Sequence, residues 1–442
     1  MELIQQIKEA GVIGAGGAGF PTHAKLTSQA EFILMNAAEC EPLLRVDQQL
    51  MAMKTDEIIQ GFAMAGRAVS AQKAIIGIKK KHGAVIEKLH ERIQALGLAE
   101  FVEVGLLPDM YPAGDEQVLV YELTGRVVPE AGIPIMVGCV VVNSETSLNI
   151  FKAAQGLAVT EKYITIAGNV PNPITVCVPV GTPIIDVLRL SGIQDFSNYA
   201  VIDGGPMMGP VLDNLDGYVT KKNKGFVVLD KNHPLIKKKT TTMDQAKRVN
   251  RAACEQCRMC TDLCPRYLLG HNVAPHKMMV AQNYQLDNLE RQKIAQLCCQ
   301  CNLCELFSCP AGLHPKMANL YFKSLLAQEN LRYKPEKTEF EARNIRKYRQ
   351  VPSKRLIARL GLSNFDQAAP MSETTIVPQF IRIQTRQHVG APATACVAVG
   401  DMVQKGQMIG RVQEDQLGAA IHSSINGTVV AVTADYIEIR SV

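Results

Sequence analysis

Unbroken apolar runs alternate with stretches of helical apolar spacing through the first part of the chain. Residues 31–36 (Glu-Phe-Ile-Leu-Met-Asn) form an apolar run that ends in polar groups, the pattern of a buried strand. Residues 73–78 and 101–106 repeat it, and between them residues 83–97 carry apolar positions at the spacing of an amphipathic helix. A further helix is expected over 118–123, and a further strand over 135–142 that runs into Asn143-Ser144-Glu145-Thr146. Strand and helix in alternation predict an α/β sheet, whose ligands bind beyond the carboxyl ends of its strands. Asn36, Glu39 and Glu41 fall at that edge.

The pattern changes near residue 159. Apolar runs at 163–168, 174–179 and 199–203, with a helical stretch over 184–190, predict two strands, a helix and a return strand. The turn that follows, Asp203-Gly-Gly-Pro-Met-Met-Gly-Pro210, has glycine enough for close backbone approach to a neighbour. Residues 221–251 are rich in Lys and Arg, with Asp230 and Asp244 as their only acids. Such a run reads first as a solvated linker, and second as a docking surface for an acidic partner or an anionic substrate. Helical spacing returns over 278–296 and 316–328, a basic and partly helical connector covers 334–359, and two short β segments closed by glycine turns occupy 400–410 and 421–430.

A chain of 442 residues exceeds what one core serves, so several domains are expected. Hydrophobic content of 47% with 20% charged residues is globular, and a net charge of +5 is too small to demand nucleic acid. No apolar run approaches the span of a bilayer. Residues 1–10 (MELIQQIKEA) are amphipathic and lack the apolar segment of a signal peptide, so a cytoplasmic protein without a membrane span is expected. Thirteen cysteines fit that compartment if they are reduced or metal-bound.

Cysteine spacing says which. Cys254, Cys257, Cys260 and Cys264 followed by Pro265 are a C-x2-C-x2-C-x3-C-P run, and Cys298, Cys301 and Cys304 are trailed by Cys309-Pro310. Three thiolates two residues apart wrap one face of a cubane in a single loop, and the fourth comes from elsewhere. In two-cluster ferredoxins the fourth cysteine of each run ligates the other cluster. That assigns Cys254, Cys257, Cys260 and Cys309 to one 4Fe-4S centre and Cys298, Cys301, Cys304 and Cys264 to a second. Structural zinc, with its two separated ligand pairs, fits the triplets less well. Cys309 comes one residue later than the first run's spacing, and Cys299 duplicates Cys298. Either of that pair can serve as ligand, and spacing favours Cys298. Cys40, Cys139, Cys177, Cys299 and Cys396 are left as ordinary thiols. The helical stretches around the triplets indicate a helical ferredoxin-like domain.

Gly14-Ala-Gly16-Gly17-Ala-Gly19-Phe20-Pro21-Thr22, followed by Lys25, is a loop whose backbone N–H groups can approach a phosphate, with a lysine to add a cation. Alone it reads first as a flexible turn before a helix, and second as a phosphate site. It is not the dinucleotide fingerprint, because no buried strand precedes it and Pro21 interrupts the helix that should follow. Tyr111-Pro-Ala-Gly114-Asp115-Glu116-Gln117 reads alone as a turn into an acidic helix N-terminus.

Together the loop GAGGAGFPT, the strand end NAAECEP, YPAGDEQ and VVNSET resemble, in order and spacing, motifs of the flavin-binding subunit of respiratory complex I and its RnfC relatives, over residues 1 to about 330. The resemblance implies FMN contacts at Gly14, Gly16, Gly17, Gly19, Lys25, Asn36, Glu39, Tyr111, Gly114, Asp115, Glu116 and Asn143. It implies that Phe20, Glu41 and Glu116 face the nicotinamide nucleotide, with Glu116 the catalytic residue. Ala38 stands where the complex I pattern has an acid, and Ser28 where it has an adenine-sandwiching aromatic. These departures bear on NADH affinity more than on the flavin.

The implied architecture is multidomain α/β: a Rossmann-like FMN/NADH domain (1–158), a β-grasp module (159–232), a helical dicluster ferredoxin domain (245–330), a connector (331–372) and a barrel-sandwich module (373–442). The last is similar to lipoyl and biotinyl carriers, but residues 411–420 offer no lysine, so covalent cofactor attachment is not expected. RnfC proteins have such a module at the N-terminus, whereas here it is C-terminal. With this domain order and no membrane span, the chain most resembles the PduS family, the cobalamin reductases of the propanediol-utilisation microcompartment. That implies electron flow from NADH through FMN and two 4Fe-4S clusters to cobalamin, with an adenosyltransferase and microcompartment proteins as partners. The alternatives are an RnfC-like electron-transfer component of a ferredoxin:NAD oxidoreductase and a scaffold with a degenerate flavin site.

Overall fold

The computed structural model describes residues 2–286, 288–374 and 376–442. Four parallel strands form the first sheet, in the order Val102–Leu107, Lys73–Lys79, Phe32–Asn36, Cys139–Asn143. Alternation along Phe32–Asn36 puts Ile33 and Met35 into one core with Ile58, Phe62 and Ile76, and Leu34 into another with Ile75, Leu119 and Val141. The chain builds the sheet outward to Val102–Leu107, then crosses back to add Cys139–Asn143 on the other side. The order therefore reverses between Phe32–Asn36 and Cys139–Asn143, and a crevice opens at their carboxyl ends. Asn36 and Asn143, the last residues of the two strands, pair in register at its mouth.

Two expected elements shift. The strand expected over 135–142 begins only at Cys139, because Pro134–Val137 form a 3-10 turn with proline at its start and Gly138 (φ 72) at its end. The helix expected over 118–123 runs from Glu116 to Thr124, capped by Asp115 and closed by Gly125 in the left-handed region. The charged start forms the helix Leu3–Glu9, and Met1 lies outside the described residues.

In the second sheet, Glu161–Gly168 pairs antiparallel with Ile174–Pro179 and parallel with Gly225–Asp230, which pairs antiparallel with Tyr199–Asp203. Helix Ile184–Arg189 covers it through Ile184, Val187 and Leu188. Strand Gly225–Asp230 corrects the linker reading of 221–251, since Phe226 to Leu229 are buried and so is Lys221. The rest of that run forms helices Pro234–Lys239 and Met243–Ala253.

The cysteine region is helical, with Pro275–Asn283 packed on Pro315–Gln328. The single helix expected over 278–296 is instead broken. Its first part ends at Asn283, Gln285 turns left-handed (φ 53), and the chain resumes as Leu289–Gln292 and the 3-10 turn Lys293–Leu297. The connector is anchored, because Val351–Pro352 pairs with Met110–Tyr111 beside the first sheet.

At the C-terminal end, one sheet holds Phe380–Gln384, Tyr436–Ser441, Gly427–Val432 and Met402–Val403, and another holds Thr394–Ala395, Met408–Arg411 and Ile421–His422. They enclose Ile381, Ile383, Ile409, Ile421, Val429, Ile437 and Ile439, joined by Val180 from the second sheet's domain. Among the described residues no helix is long and apolar enough to cross a membrane.

Candidate functional site

A cavity of about 300 Å³ occupies the crevice, lined by Gly14, Gly16, Gly17, Gly19, Phe20, Lys25, Asn36, Gly114, Glu116 and Asn143. A second, of about 270 Å³, shares Gly16, Asn36, Gly114, Glu116 and Asn143 with it and continues past Glu39, Glu41, Tyr111 and Asp115 to Cys299 and Cys301. All the residues expected at a flavin and nicotinamide site therefore line one or both of two adjoining cavities. A side chain on Gly17 would meet nothing within 4 Å, so the loop presents bare backbone to the cavity. Bare N–H groups, the Lys25 ammonium and two strand-end amides suit an anionic ligand rich in hydrogen-bonding groups, such as FMN.

The segment Asn143 to Thr146 shows how the loop is held. Gly14 N–H donates to the Phe20 carbonyl (2.9 Å), closing the loop, and Ala15 N–H donates to Thr146 Oγ1 (3.0 Å). Glu145 is buried against Lys162 at 2.6 Å, each side chain 1% exposed. Ser144 Oγ (2.5 Å) and Asn143 Nδ2 (3.2 Å) both donate to Asp47 Oδ1, whose other oxygen pairs with Lys224. Four consecutive residues thus tie three separate segments, around Ala15, Asp47 and Lys162, to the crevice. Lys25 Nζ donates to the Val141 carbonyl (2.9 Å) and stands 3.4 Å from Glu116.

Several expected contacts are also committed to the scaffold. Glu39 accepts the N–H groups of Asp47 (3.1 Å) and Gln48 (3.4 Å), and burial, followed by the charge of Asp47, pushes its carboxyl up to about 7. Glu41 accepts the N–H groups of Met207 and Met208, both at 2.9 Å, and burial holds its carboxyl above the usual range. A Cβ on Gly205 would lie 2.1 Å from Glu41 Oε2, so the neighbour that the turn 203–210 approaches is Glu41 of this chain. Asp115 caps helix Glu116–Thr124 and pairs with Arg266 at 2.9 Å. The Tyr111 hydroxyl donates to the Cys301 carbonyl.

The thiols of the two runs lie close enough to perturb one another. Burial, and then Cys309, Cys257 and Cys254, push the Cys260 thiol up to about 12. Burial, and then Cys298, Glu305, Cys264 and Cys260, hold the Cys304 thiol far above its ordinary value. Cys309 of the second run is thus a neighbour of Cys260, and Cys264 of the first run a neighbour of Cys304. Cys301 borders the flavin cavity, while Cys257 is exposed. Asp47, Lys162, Lys224, Arg266 and the cavity position of Cys299 were not indicated by any motif. Only the position of Arg266, two residues after Cys264, offered a signal.

Comparison with known proteins follows the same division. Residues 7–152 match the Nuo51 FMN-binding domain, 253–314 a 4Fe-4S dicluster domain, and 365–441 the RnfC barrel sandwich hybrid domain. The chain therefore contains FMN-binding and 4Fe-4S dicluster domains. A solved NAD+-reducing [NiFe]-hydrogenase shares the fold, with a TM-score of 0.50 and 22% identity over 75% of this chain and 63% of that one. The RnfC-type component of the Na+-translocating ferredoxin:NAD+ oxidoreductase complex of Acetobacterium woodii is 32% identical over 62% of this chain and 59% of its own length. Cobalamin reductase PduS of Salmonella typhimurium is 42% identical over 99% of this chain and 96% of its own length, and that of Citrobacter freundii 42% over 98% and 95%. A likeness of that extent takes in the FMN-binding, dicluster and barrel-sandwich domains in a single alignment, and the chain belongs to the PduS family of cobalamin reductases.

Proposed function

We propose that the protein is an NADH-dependent cob(II)alamin/cob(III)alamin reductase, in which NADH is the donor, FMN and two 4Fe-4S clusters the relay, and cobalamin the acceptor. The observation that carries this reading is the pair of adjoining cavities that between them reach from the glycine loop to Cys299 and Cys301. FMN takes up two electrons as a hydride and releases them singly, and each cluster carries one.

In this reading Gly16, Gly17 and Gly19 cradle the flavin phosphate with backbone N–H groups, Gly14 lines the cradle with its own N–H held by the Phe20 carbonyl, and Lys25 neutralises the phosphate. Asn36 and Asn143 hold polar flavin edges at the strand ends, flanked by Gly114, Asp115, Glu39 and Tyr111. Phe20, Glu41 and Glu116 face the nicotinamide, with Glu116 as the catalytic residue beside Lys25. Cys264, Cys298, Cys301 and Cys304 hold the cluster nearer the flavin, and Cys254, Cys257, Cys260 and Cys309 the outer one. The domains are read as Rossmann-like (1–158), β-grasp (159–232, supported by its central parallel pair), dicluster (245–330), connector (331–372) and barrel-sandwich (373–442). The protein works in the cytoplasm within a bacterial microcompartment and hands reduced cobalamin to an adenosyltransferase.

The test is an anaerobic titration of the reconstituted protein with NADH. Flavin bleaching, followed by reduction of cob(III)alamin and then cob(II)alamin, is expected. A protein that retains no flavin after reconstitution would overturn the reading.

A further inference from the structure

Away from the flavin crevice, a cavity of about 630 Å³ opens between helices Met243–Ala253, Pro275–Asn283 and Pro315–Gln328. Arg248 and Arg251 rim one side, and Tyr321, Phe322 and Leu325 wall the other. Lys247 Nζ lies 4.2 Å over the Tyr321 ring and fixes its orientation. Through Arg251, Asn283 and Gln285 the space continues into a depression of about 290 Å³ walled by Cys254 and Tyr284. Cys254 does not line the flavin cavity and holds the outer cluster in the ligation proposed above, so this space touches the outer end of the relay.

An independent feature points to a ligand. Asn250 Nδ2 donates to Gln282 Oε1 (3.3 Å), and Asn283 Nδ2 donates to the Asn250 carbonyl (3.1 Å), which sets the orientation of both amides. Gln282 Nε2 and Asn283 Oδ1 are left buried with no partner in the protein, and Gln282 is only 8% exposed. Buried polar groups are nearly always paired, so the unmatched Gln282 donor and the unmatched Asn283 acceptor, both on lining residues, call for ligand groups that accept and donate. A primary carboxamide does so. The arginines, with no acid among the described lining residues, call for an anion, and the aromatic wall calls for a flat apolar face.

We propose that this two-part cavity is the cobalamin site, a proposal that rests on cobalamin being the acceptor. The corrin face lies against Tyr321, Phe322 and Leu325, rim carboxamides meet Gln282 and Asn283, and the phosphodiester of the nucleotide arm lies over Arg248 and Arg251. Each transfer oxidises the outer cluster by one electron and reduces cobalt by one, from Co(III) to Co(II) or from Co(II) to Co(I). The pair of electrons from one NADH supplies two such transfers.

The test compares the FMN- and cluster-loaded wild type with an Arg248→Glu/Arg251→Glu double variant and, as a milder change, Tyr321→Leu. Equilibrium dialysis against aquacobalamin and the KM for cobalamin reduction are the readouts, with EPR of the NADH-reduced clusters as the control for an intact relay. At least a tenfold rise in Kd and KM with unchanged cluster signals is expected. If the wild type reduces cobalamin and both variants do so with unchanged Kd and KM, the site is overturned while the acceptor stands. If the wild type neither binds nor reduces cobalamin, the acceptor itself falls, and the site with it. Loss of transfer only to adenosyltransferase-bound cobalamin, with KM for free cobalamin unchanged, makes this face a protein-docking surface and also overturns the proposal.

Discussion

The hydroxyl of Tyr111, a residue 2% exposed, donates to the main-chain carbonyl of Cys301 across 2.6 Å, joining the wall of the flavin crevice to the cysteine loop. Tyr111→Phe keeps the ring and leaves that carbonyl buried without its donor, a loss of about 1–3 kcal/mol. A lower unfolding midpoint is expected, with flavin content retained and slower flavin-to-cluster electron transfer in rapid mixing. An unchanged midpoint and transfer rate would remove the bond from the relay.

Lys162 and Glu145 form a buried pair directly behind the glycine loop. Lys162→Met strands the carboxylate, and breaking such a pair costs about 3–5 kcal/mol. We expect a large drop in thermal midpoint together with loss of bound flavin, because Glu145 sits between Ser144 and Thr146, which anchor Asp47 and Ala15. Lys162→Met/Glu145→Leu, which removes both charges, is expected to recover much of the stability. A double variant no better than the single one would contradict this.

Lys221 is buried where its Nζ donates to the carbonyls of Gly11 (2.8 Å) and Ala420 (2.9 Å), and burial lowers its pKa to about 7. A neutral amine still has two N–H donors for the two carbonyls. An unfolded lysine titrates near about 10.4. Between about 7 and that value the unfolded chain binds a proton that the folded chain has released, so stability from this group rises with pH across that window. Below it both states are protonated and the contribution levels off. Urea midpoints measured across this range should climb for the wild type and climb less for Lys221→Met. Equal slopes would show that the lysine is charged when folded.

Cluster assignment is open to EPR on single variants. Cys264→Ser is expected to impair the centre held by Cys298, Cys301 and Cys304 and to spare the other. Cys298→Ser should do the same, whereas Cys299→Ala should leave both signals. Loss of the opposite centre in Cys264→Ser would refute crossed ligation.

What the sequence made legible was local. Two-residue cysteine spacing, the glycine loop and the apolar runs ending in Asn36 and Asn143 each report the geometry of a few adjacent residues. Lys162, Lys224 and Arg266 were not legible, because their partners Glu145, Asp47 and Asp115 belong to a different domain and no spacing connects them. The run 221–251 misled because its lysines dominate the composition while the strand at Phe226 to Leu229 is short. The broken helix after Asn283 turned on the backbone of Gln285, a residue type that ordinarily favours helix.

The junction of Gly11, Lys221 and Ala420 also bears on biogenesis. A Cβ on Gly11 would lie 2.3 Å from the Ala420 carbonyl oxygen, so the base of the glycine loop fits closely against a module translated long after it. The flavin cradle therefore acquires its backing only once Ala420 has left the ribosome, and such long-range closure is slow. Cys254 to Cys309 lie in one contiguous stretch and can receive iron and sulfide earlier. As the chain emerges, the cysteine loops therefore precede the contact that backs the flavin cradle.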